Sequence, residues 1–140
     1  MYPEELVKPM RQDLTSVGFQ ELKTASEVDK IMSEDNGSVL VVFNSVCGCA
    51  AGNARPGIKM ALKHATRPDK LTTVFAGQDI EAVKRAREYV KGYPPSSPSV
   101  ALFKGGKLVY MMERHQIEGH HPEHIAENLT HAFDAFLKKP

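Results

Sequence analysis

The sequence predicts an α/β fold of three layers, with a mixed central β-sheet between two layers of helices and an added helix at the N-terminus. Three observations lead there. Short apolar runs at residues 39–43 and 71–76 are each followed by a segment of helical periodicity. Next, V-A-L-F, K-G-G-K and L-V-Y-M-M read in succession as a β-hairpin, and alternating elements with a terminal hairpin imply a mixed sheet covered by helices on both faces. Finally, 140 residues of which 41% are hydrophobic suit one domain spanning residues 1–140, with residues 1–18 as a helical extension.

Each element has its own warrant. Leu6, Met10, Leu14 and Val17 recur at helical spacing and are expected to pack, with Pro9 starting or bending the helix and Gly18 stopping it. A short extended piece is expected at residues 19–22. Thr24-Ala25-Ser26-Glu27 has the form of a capping box and opens a helix carrying Val28, Ile31 and Met32, which Asn36-Gly37 ends. The run V-L-V-V-F at 39–43 shows no alternation of apolar and polar residues, the pattern of a strand covered on both faces. From Ala50 to about Ala65 the spacing of Ile58, Met60, Ala61 and Leu62 is helical, and Pro56 is expected to kink the helix because it lacks an amide donor. After the strand at 71–76, Asp79 is placed to cap a helix bearing Ile80, Val83 and Val90 that closes near Gly92. Y-P-P-S-S-P-S holds too many prolines for a regular element and is read as an ordered loop or turn. Gly105-Gly106 forms the hairpin turn. The last helix starts near Pro122, a residue suited to the first helical position, and is expected to bury Ile125, Leu129, Phe133 and Phe136.

Charge narrows the function. Eighteen Lys and Arg against 17 Asp and Glu leave a net charge of +1, so no bulk electrostatic attraction draws nucleic acid or an anionic membrane, and a small molecule or a protein is the expected partner. There is no apolar run of about 18 residues, and the charged start lacks the pattern of a signal peptide, so a cytoplasmic location is expected. In a reducing compartment two cysteines cannot be taken as a permanent staple. A close pair there points to metal binding or transient redox chemistry.

Both cysteines of the chain lie in N-S-V-C-G-C-A-A-G, residues 44–52, directly after the buried strand. A thiol in a strand-to-helix turn sits beside unpaired amides and the positive end of a helix dipole, which favour the thiolate. Cys47 is therefore expected to titrate below an ordinary cysteine and Cys49 less readily. A second thiol two residues on permits attack on a disulfide and then release of the mixed disulfide by the second sulfur. Gly48 is expected to let the backbone bend without a Cβ in the way. Two other readings exist: inert buried cysteines acting as small hydrophobes, or a metal site with the histidines, five of whose six lie after position 114. Zinc wants four ligands, and His120, His121 and His124 lack the required spacing, so no metal ligand is assigned. His64 and His131 read as solvated or partly packed, and His121 as a cap.

With C-G-C after a buried strand, Pro56 in the helix behind it, and S-P-S-V-A-L-F-K-G-G before a hairpin, the chain resembles the thioredoxin-like fold. The resemblance implies a cis bond between Ser97 and Pro98, with that loop against the cysteines. A closer resemblance spans nearly the whole chain: V-V-F-N-S-V-C-G-C-A-A-G-N-A-R-P-G, P-P-S-S-P-S-V-A-L-F-K-G-G and M-M-E-R-H are similar to the bacilliredoxin family, whose site is C-x-C. It implies removal of bacillithiol from mixed disulfides on client proteins, with no bound cofactor and bacillithiol as the low-molecular-weight thiol co-substrate. It further implies Cys47 as nucleophile and Cys49 as resolving thiol, with Gly48, Ser97 and Pro98 meeting the substrate. Arg55, Arg114 and His115 are placed to offer charge to a thiol cofactor's carboxylates, since arginine pairs with them bidentately. A cytosolic protein disulfide isomerase acting on disulfide-containing clients, and a non-enzymatic thiol or metal carrier, are the alternatives. Two departures from ordinary thioredoxin are Val46 in place of a Trp before Cys47, and Val41 or Val42 in place of a buried carboxylate.

Overall fold

A computed structural model describes residues 1–34 and 37–138. Five strands form one sheet: β1 (Gln20–Glu21), β2 (Ser38–Asn44), β3 (Lys70–Phe75), β4 (Ser99–Lys104) and β5 (Lys107–Met112), in the order β1-β3-β2-β4-β5. The β1–β3 and β2–β3 pairs are parallel, and β2–β4 and β4–β5 antiparallel, so the sheet is mixed as its hairpin implied. Helices α1 (Glu4–Thr15), α2 (Ala25–Ser33), α3 (Arg55–Ala61), α4 (Ile80–Glu88), α5 (Arg114–Ile117) and α6 (Pro122–Leu137) surround it. Side chains alternate across a strand. Leu40 and Val42 of β2 therefore join Leu14, Ile58, Leu129 and Phe133 beneath α1, α3 and α6. Val41 and Phe43 join Val28, Ile31, Ala82 and Val83 beneath α2 and α4. All seven residues of β2 are buried, which explains its unbroken apolar run.

Local signals hold where short-range chemistry sets them. Thr24 Oγ1 accepts from the Glu27 amide at 3.1 Å while Glu27 Oε1 accepts from the Thr24 amide at 3.1 Å, closing the capping box of α2. Gly105 and Gly106 take φ of 58° and 78°, a left-handed pair that a two-residue hairpin turn requires and side chains resist.

Several expectations fail where tertiary pairing intervenes. α1 turns Val7, Arg11 and Leu14 inward and leaves Leu6 exposed, and Val17, in the turn beyond its end, is exposed as well. The reason is Arg11, whose guanidinium donates to Asp79 at 2.7 and 2.9 Å, to Glu4 at 2.7 Å and to Glu21 at 3.2 Å. Asp79 stands at the N-cap of α4 but makes no capping hydrogen bond, its carboxylate being held by Arg11. Ile80 and Phe136 are exposed, against expectation. Pro9 lies within α1 on its exposed side. α2 ends at Ser33; Asn36, read as its terminator, lies outside the described residues. The helix read over 50–65 stops at Ala61, and its kink takes the form of a π-helical turn, Ala50–Ala54, in which the Arg55 amide donates to the Ala50 carbonyl just before Pro56. α5 went unread because four residues carry no periodicity; its only signal was Glu113 and Gln116, which form a capping box.

The site's helix rests on α6 through a glycine. A Cβ at Gly57 would come within 2.8 Å of Ile125 and 3.0 Å of the Pro122 carbonyl. Gly57→Ala should therefore lower stability in urea unfolding. Overpacking a filled contact costs about 1–3 kcal/mol, and an immovable backbone carbonyl places this site toward the upper part, above the roughly 1 kcal/mol of helix propensity gained. Unchanged or increased stability would show that α3 and α6 can separate freely.

Candidate active site

The turn that carries the cysteines is braced from behind. β2 ends at Asn44, whose Oδ1 accepts from the Ser45 amide at 2.9 Å and whose Nδ2 donates to the Met10 carbonyl of α1 at 3.1 Å. Ser45 Oγ accepts from the Cys47 amide at 3.0 Å. The Cys47 carbonyl accepts from the amides of Ala50 and Ala51 at 2.9 and 3.3 Å, starting the helical turn. Thus a polar residue ends an apolar strand because the chain must turn there, and its side chain takes the amide that the sheet no longer pairs.

Arg55 holds this turn from the helix side. It is 4% exposed, with Nη1 donating to Asn44 Oδ1 at 2.9 Å and the Ser45 carbonyl at 3.0 Å, and Nε donating to Asp13 Oδ2 at 3.0 Å. Lys59 shares Asp13 at 2.5 Å. Burial pushes the Asp13 pKa up, but Lys59 and Arg55 outweigh it and hold the carboxyl below its ordinary value. The expectation that Arg55 offers charge to an incoming acid is therefore corrected: the residue is buried, and its Nε and Nη1 donors are committed inside the protein. Asp13, Asn44 and Ser45 escaped sequence reading because their partners lie far away in the chain; the one visible signal was an asparagine closing an apolar run.

The two sulfurs lie 2.6 Å apart, both as free thiols. Hydrogen bonding from Cys49, first by its thiol and then by its amide, lowers the Cys47 pKa against burial, and Arg114 and the Ala50 amide add to the effect. Burial raises the Cys49 pKa, and the negative charge favoured at Cys47 raises it further. The proton of the pair therefore stays on Cys49. Arg114 Nη2 donates to Cys47 Sγ at 3.2 Å and to Glu118 Oε2 at 3.0 Å, while Nη1 donates to the Ser97 carbonyl at 3.2 Å. Ser97-Pro98 is cis, and Arg114 links its loop to the Cys47 sulfur. His115 is exposed beside it on α5.

Gly48 is exposed, its φ is not left-handed, and a Cβ there would meet nothing within 4 Å. The expected intramolecular need for glycine at Gly48 is thus corrected, since the space it leaves open belongs to solvent. Val41 and Val42 are 4% and 1% exposed, so apolar side chains fill these strand positions. His64 pairs with Asp134 at 3.0 Å, and the rings of His120 and His124 stack 4.9 Å apart. His121 occupies the N-cap position of α6 without a side-chain capping bond. Among the described residues no three His, Cys, Asp or Glu side chains form a group able to hold a metal ion. No helix among them is long and apolar enough to cross a membrane.

Disulfide exchange needs a thiol that ionises readily, and its resolution needs a second thiol within reach of the first. This chain meets both needs on a three-layer sheet with a cis-proline loop beside the sulfurs, and it is a thiol–disulfide oxidoreductase of thioredoxin-like fold. Thioredoxin O2 from Arabidopsis thaliana, solved in its oxidized state, superposes with a TM-score of 0.54 at 18% identity, covering 86% of this chain and 95% of that one. Residues 2–137 match the family described as disulphide isomerase. A bacilliredoxin of Koribacter versatilis is 52% identical over 136 residues, 97% of this chain and 94% of that one. One from Staphylococcus aureus is 49% identical over 139 residues, 99% and 95% of the two chains. The chain belongs to the bacilliredoxin family.

A thiolate accumulates above its pKa, so lowering the pKa moves reactivity to lower pH. Iodoacetamide should alkylate Cys47 with a midpoint below the ordinary thiol value of about 8.5. Cys49→Ala removes the largest stabilising contact and should raise that midpoint more than Arg114→Gln does. A wild-type midpoint at or above the ordinary value would contradict the assigned asymmetry.

Proposed function

We propose that the protein removes bacillithiol from mixed disulfides on cytoplasmic client proteins, using Cys47 as nucleophile and Cys49 as resolving thiol. The observation that carries this reading is geometric: Cys49 adjoins Cys47 at the strand-to-helix turn while Arg114 Nη2 donates to Cys47 Sγ at 3.2 Å, and both push the Cys47 pKa down. The names of its relatives and the resemblance in sequence support bacillithiol as the thiol.

The Cys47 thiolate attacks the bacillithiol sulfur of the mixed disulfide, forming a Cys47–bacillithiol disulfide as the client sulfur leaves with the bonding electron pair and takes a proton from water. Arg114, released from the neutralised Cys47 sulfur, is free to face the bound thiol. Cys49 then loses its proton and attacks Cys47 Sγ, expelling bacillithiolate and closing the C-G-C disulfide. Two equivalents of an external thiol, leaving as their own disulfide, restore the dithiol. The Ser97-Pro98 loop, linked to the Cys47 sulfur through Arg114, would offer its backbone edge to an extended client.

A second reading, protein disulfide isomerase, is favoured by the description of the matched family. It uses the same first attack on a client disulfide, but a client thiolate then displaces Cys47, and the enzyme ends reduced.

Reduced protein should release bacillithiol from a client faster than it releases glutathione from the same client, measured by loss of adduct mass. Equal rates would remove the proposed thiol preference. Cys49→Ala should accumulate as a bacillithiol adduct that dithiothreitol reverses, whereas the wild type should lose the mass of two hydrogens. Wild type carrying only an adduct would refute the resolving role of Cys49, and reshuffling of a scrambled client with no net oxidation of the enzyme would favour isomerisation.

A further inference from the structure

Arg87, like Arg67, differs from the other four arginines. Arg11, Arg55, Arg85 and Arg114 each pair with a carboxylate. Among the described residues Arg87 pairs with none, and its one hydrogen bond runs from Nη1 to the Ser96 carbonyl at 3.3 Å. The guanidinium lies 5.0 Å over the Phe43 ring and is half-buried. Burial draws its pKa below the ordinary arginine value with no opposing charge to restore it, yet a guanidinium keeps its charge in any protein setting. The other donors of this half-buried cation reach solvent and are free for an acceptor that enters beside them.

The space beside it fits such an occupant. Arg87, Phe43, Val90, Tyr93, Pro94 and Pro95 line a cavity of about 60 Å³. That volume exceeds the roughly 10–15 Å³ one water needs, and suits a carboxylate group more than a whole side chain or cofactor. Two chain segments connect the cavity to the turn and the loop that carry the reacting sulfur and its arginine. Phe43 lies in β2 immediately before Asn44 and the braced turn, and Pro95 immediately precedes Ser96-Ser97. Arg87 grips the Ser96 carbonyl, and Arg114 grips both the Ser97 carbonyl and Cys47 Sγ. Two arginines thus bracket one dipeptide, one at the sulfur and one at a small apolar-walled cavity.

We propose that the Arg87 cavity anchors a carboxylate of the small thiol whose disulfide Cys47 attacks, so that the acid sits in the cavity and the body of the thiol crosses Ser96-Ser97 toward the sulfur. The inference rests on Cys47 as the attacking thiolate and specifies the chemical class of its substrate. A carboxylate takes two parallel N–H bonds from a guanidinium fork, and the aromatic and proline walls strengthen that attraction by excluding water. The cavity takes a group of carboxylate size, and its link to the sulfur through Ser96-Ser97 favours an acid on the thiol bonded at that sulfur over one on the client.

The test compares two disulfides on one protein sample: dithiobis(nitrobenzoate), which carries carboxylates, and uncharged dithiodipyridine. Second-order rates of the reduced full chain are measured for wild type, Arg87→Met and Arg87→Lys. Arg87→Met should slow the carboxylated reagent about fivefold, the worth of a partly exposed charge-assisted bond, and the neutral one less than about twofold. Arg87→Lys should fall between, and the wild-type advantage should shrink with added salt. The ratio of the two rates cancels any misfolded fraction. Equal slowing of both reagents would make Arg87 a mere loop support, and no change in either would remove the site. A loss confined to protein mixed disulfides, whatever thiol they carry, would place the acid on the client. Each of those results overturns the assignment. Failure of the bacillithiol preference would leave this ratio untouched, because neither reagent is bacillithiol.

Discussion

The buried Arg55 guanidinium is the joint on which the active-site end of the molecule depends. One side chain satisfies Asn44 and the Ser45 carbonyl in the turn before Cys47, and Asp13 on α1. A cation at 4% exposure cannot fall back on water, so each of these acceptors is needed where it stands. Removing one partner of a fully buried pair costs about 3–5 kcal/mol. The Asp13 side chain is 36% exposed, which puts this pair below that range, but the direction is the same. The N-terminal helix is consequently part of the reactive site's support, tied to it by Asp13 and by the Met10 carbonyl.

That brace determines where the Cys47 sulfur sits, and the pair chemistry then follows from short-range contacts. A thioredoxin-like site with valines at 41 and 42 has no buried carboxylate at those positions to accept the second proton. Here Cys49 itself retains the proton and lends it as a hydrogen bond to Cys47, while Arg114 offsets the thiolate charge from solvent's side. The arrangement separates two tasks. Stabilising the first thiolate is done by groups outside the dithiol as well as within it, whereas release of the proton from Cys49 has to wait until Cys47 becomes neutral in a mixed disulfide and no longer opposes a second negative charge.

Arginine identity matters throughout this small protein, because the same side chain serves three physical ends. Arg11 gathers Glu4, Glu21 and Asp79 and so docks α1 against β1 and the start of α4. Arg55 is committed to the interior, and Arg114 faces the sulfur. A near-zero net charge conceals these local concentrations, since Arg11, Arg55 and Arg114 are each matched within a few ångströms by carboxylates.

By itself the sequence determined the parts governed by neighbours along the chain. The capping box at Thr24 and Glu27, the left-handed Gly105-Gly106 turn, the fully covered β2 run and the placement of C-G-C at a strand-to-helix turn are all local, since steric and hydrogen-bonding choices within four or five residues decide them. The cysteine pair was likewise legible, because its chemistry needs only adjacency and a helix start. Only the tertiary structure decided which face of α1 packs, what Asp79 holds, that Arg55 turns inward, and that Arg114 meets Cys47. Those outcomes rest on pairings across 42, 67 and 68 residues of chain, between side chains whose charges look equally content in solvent when read one after another. Burial chooses between them, and burial exists only once β2, α1 and α3 have come together and removed the water that would otherwise have served each charge separately.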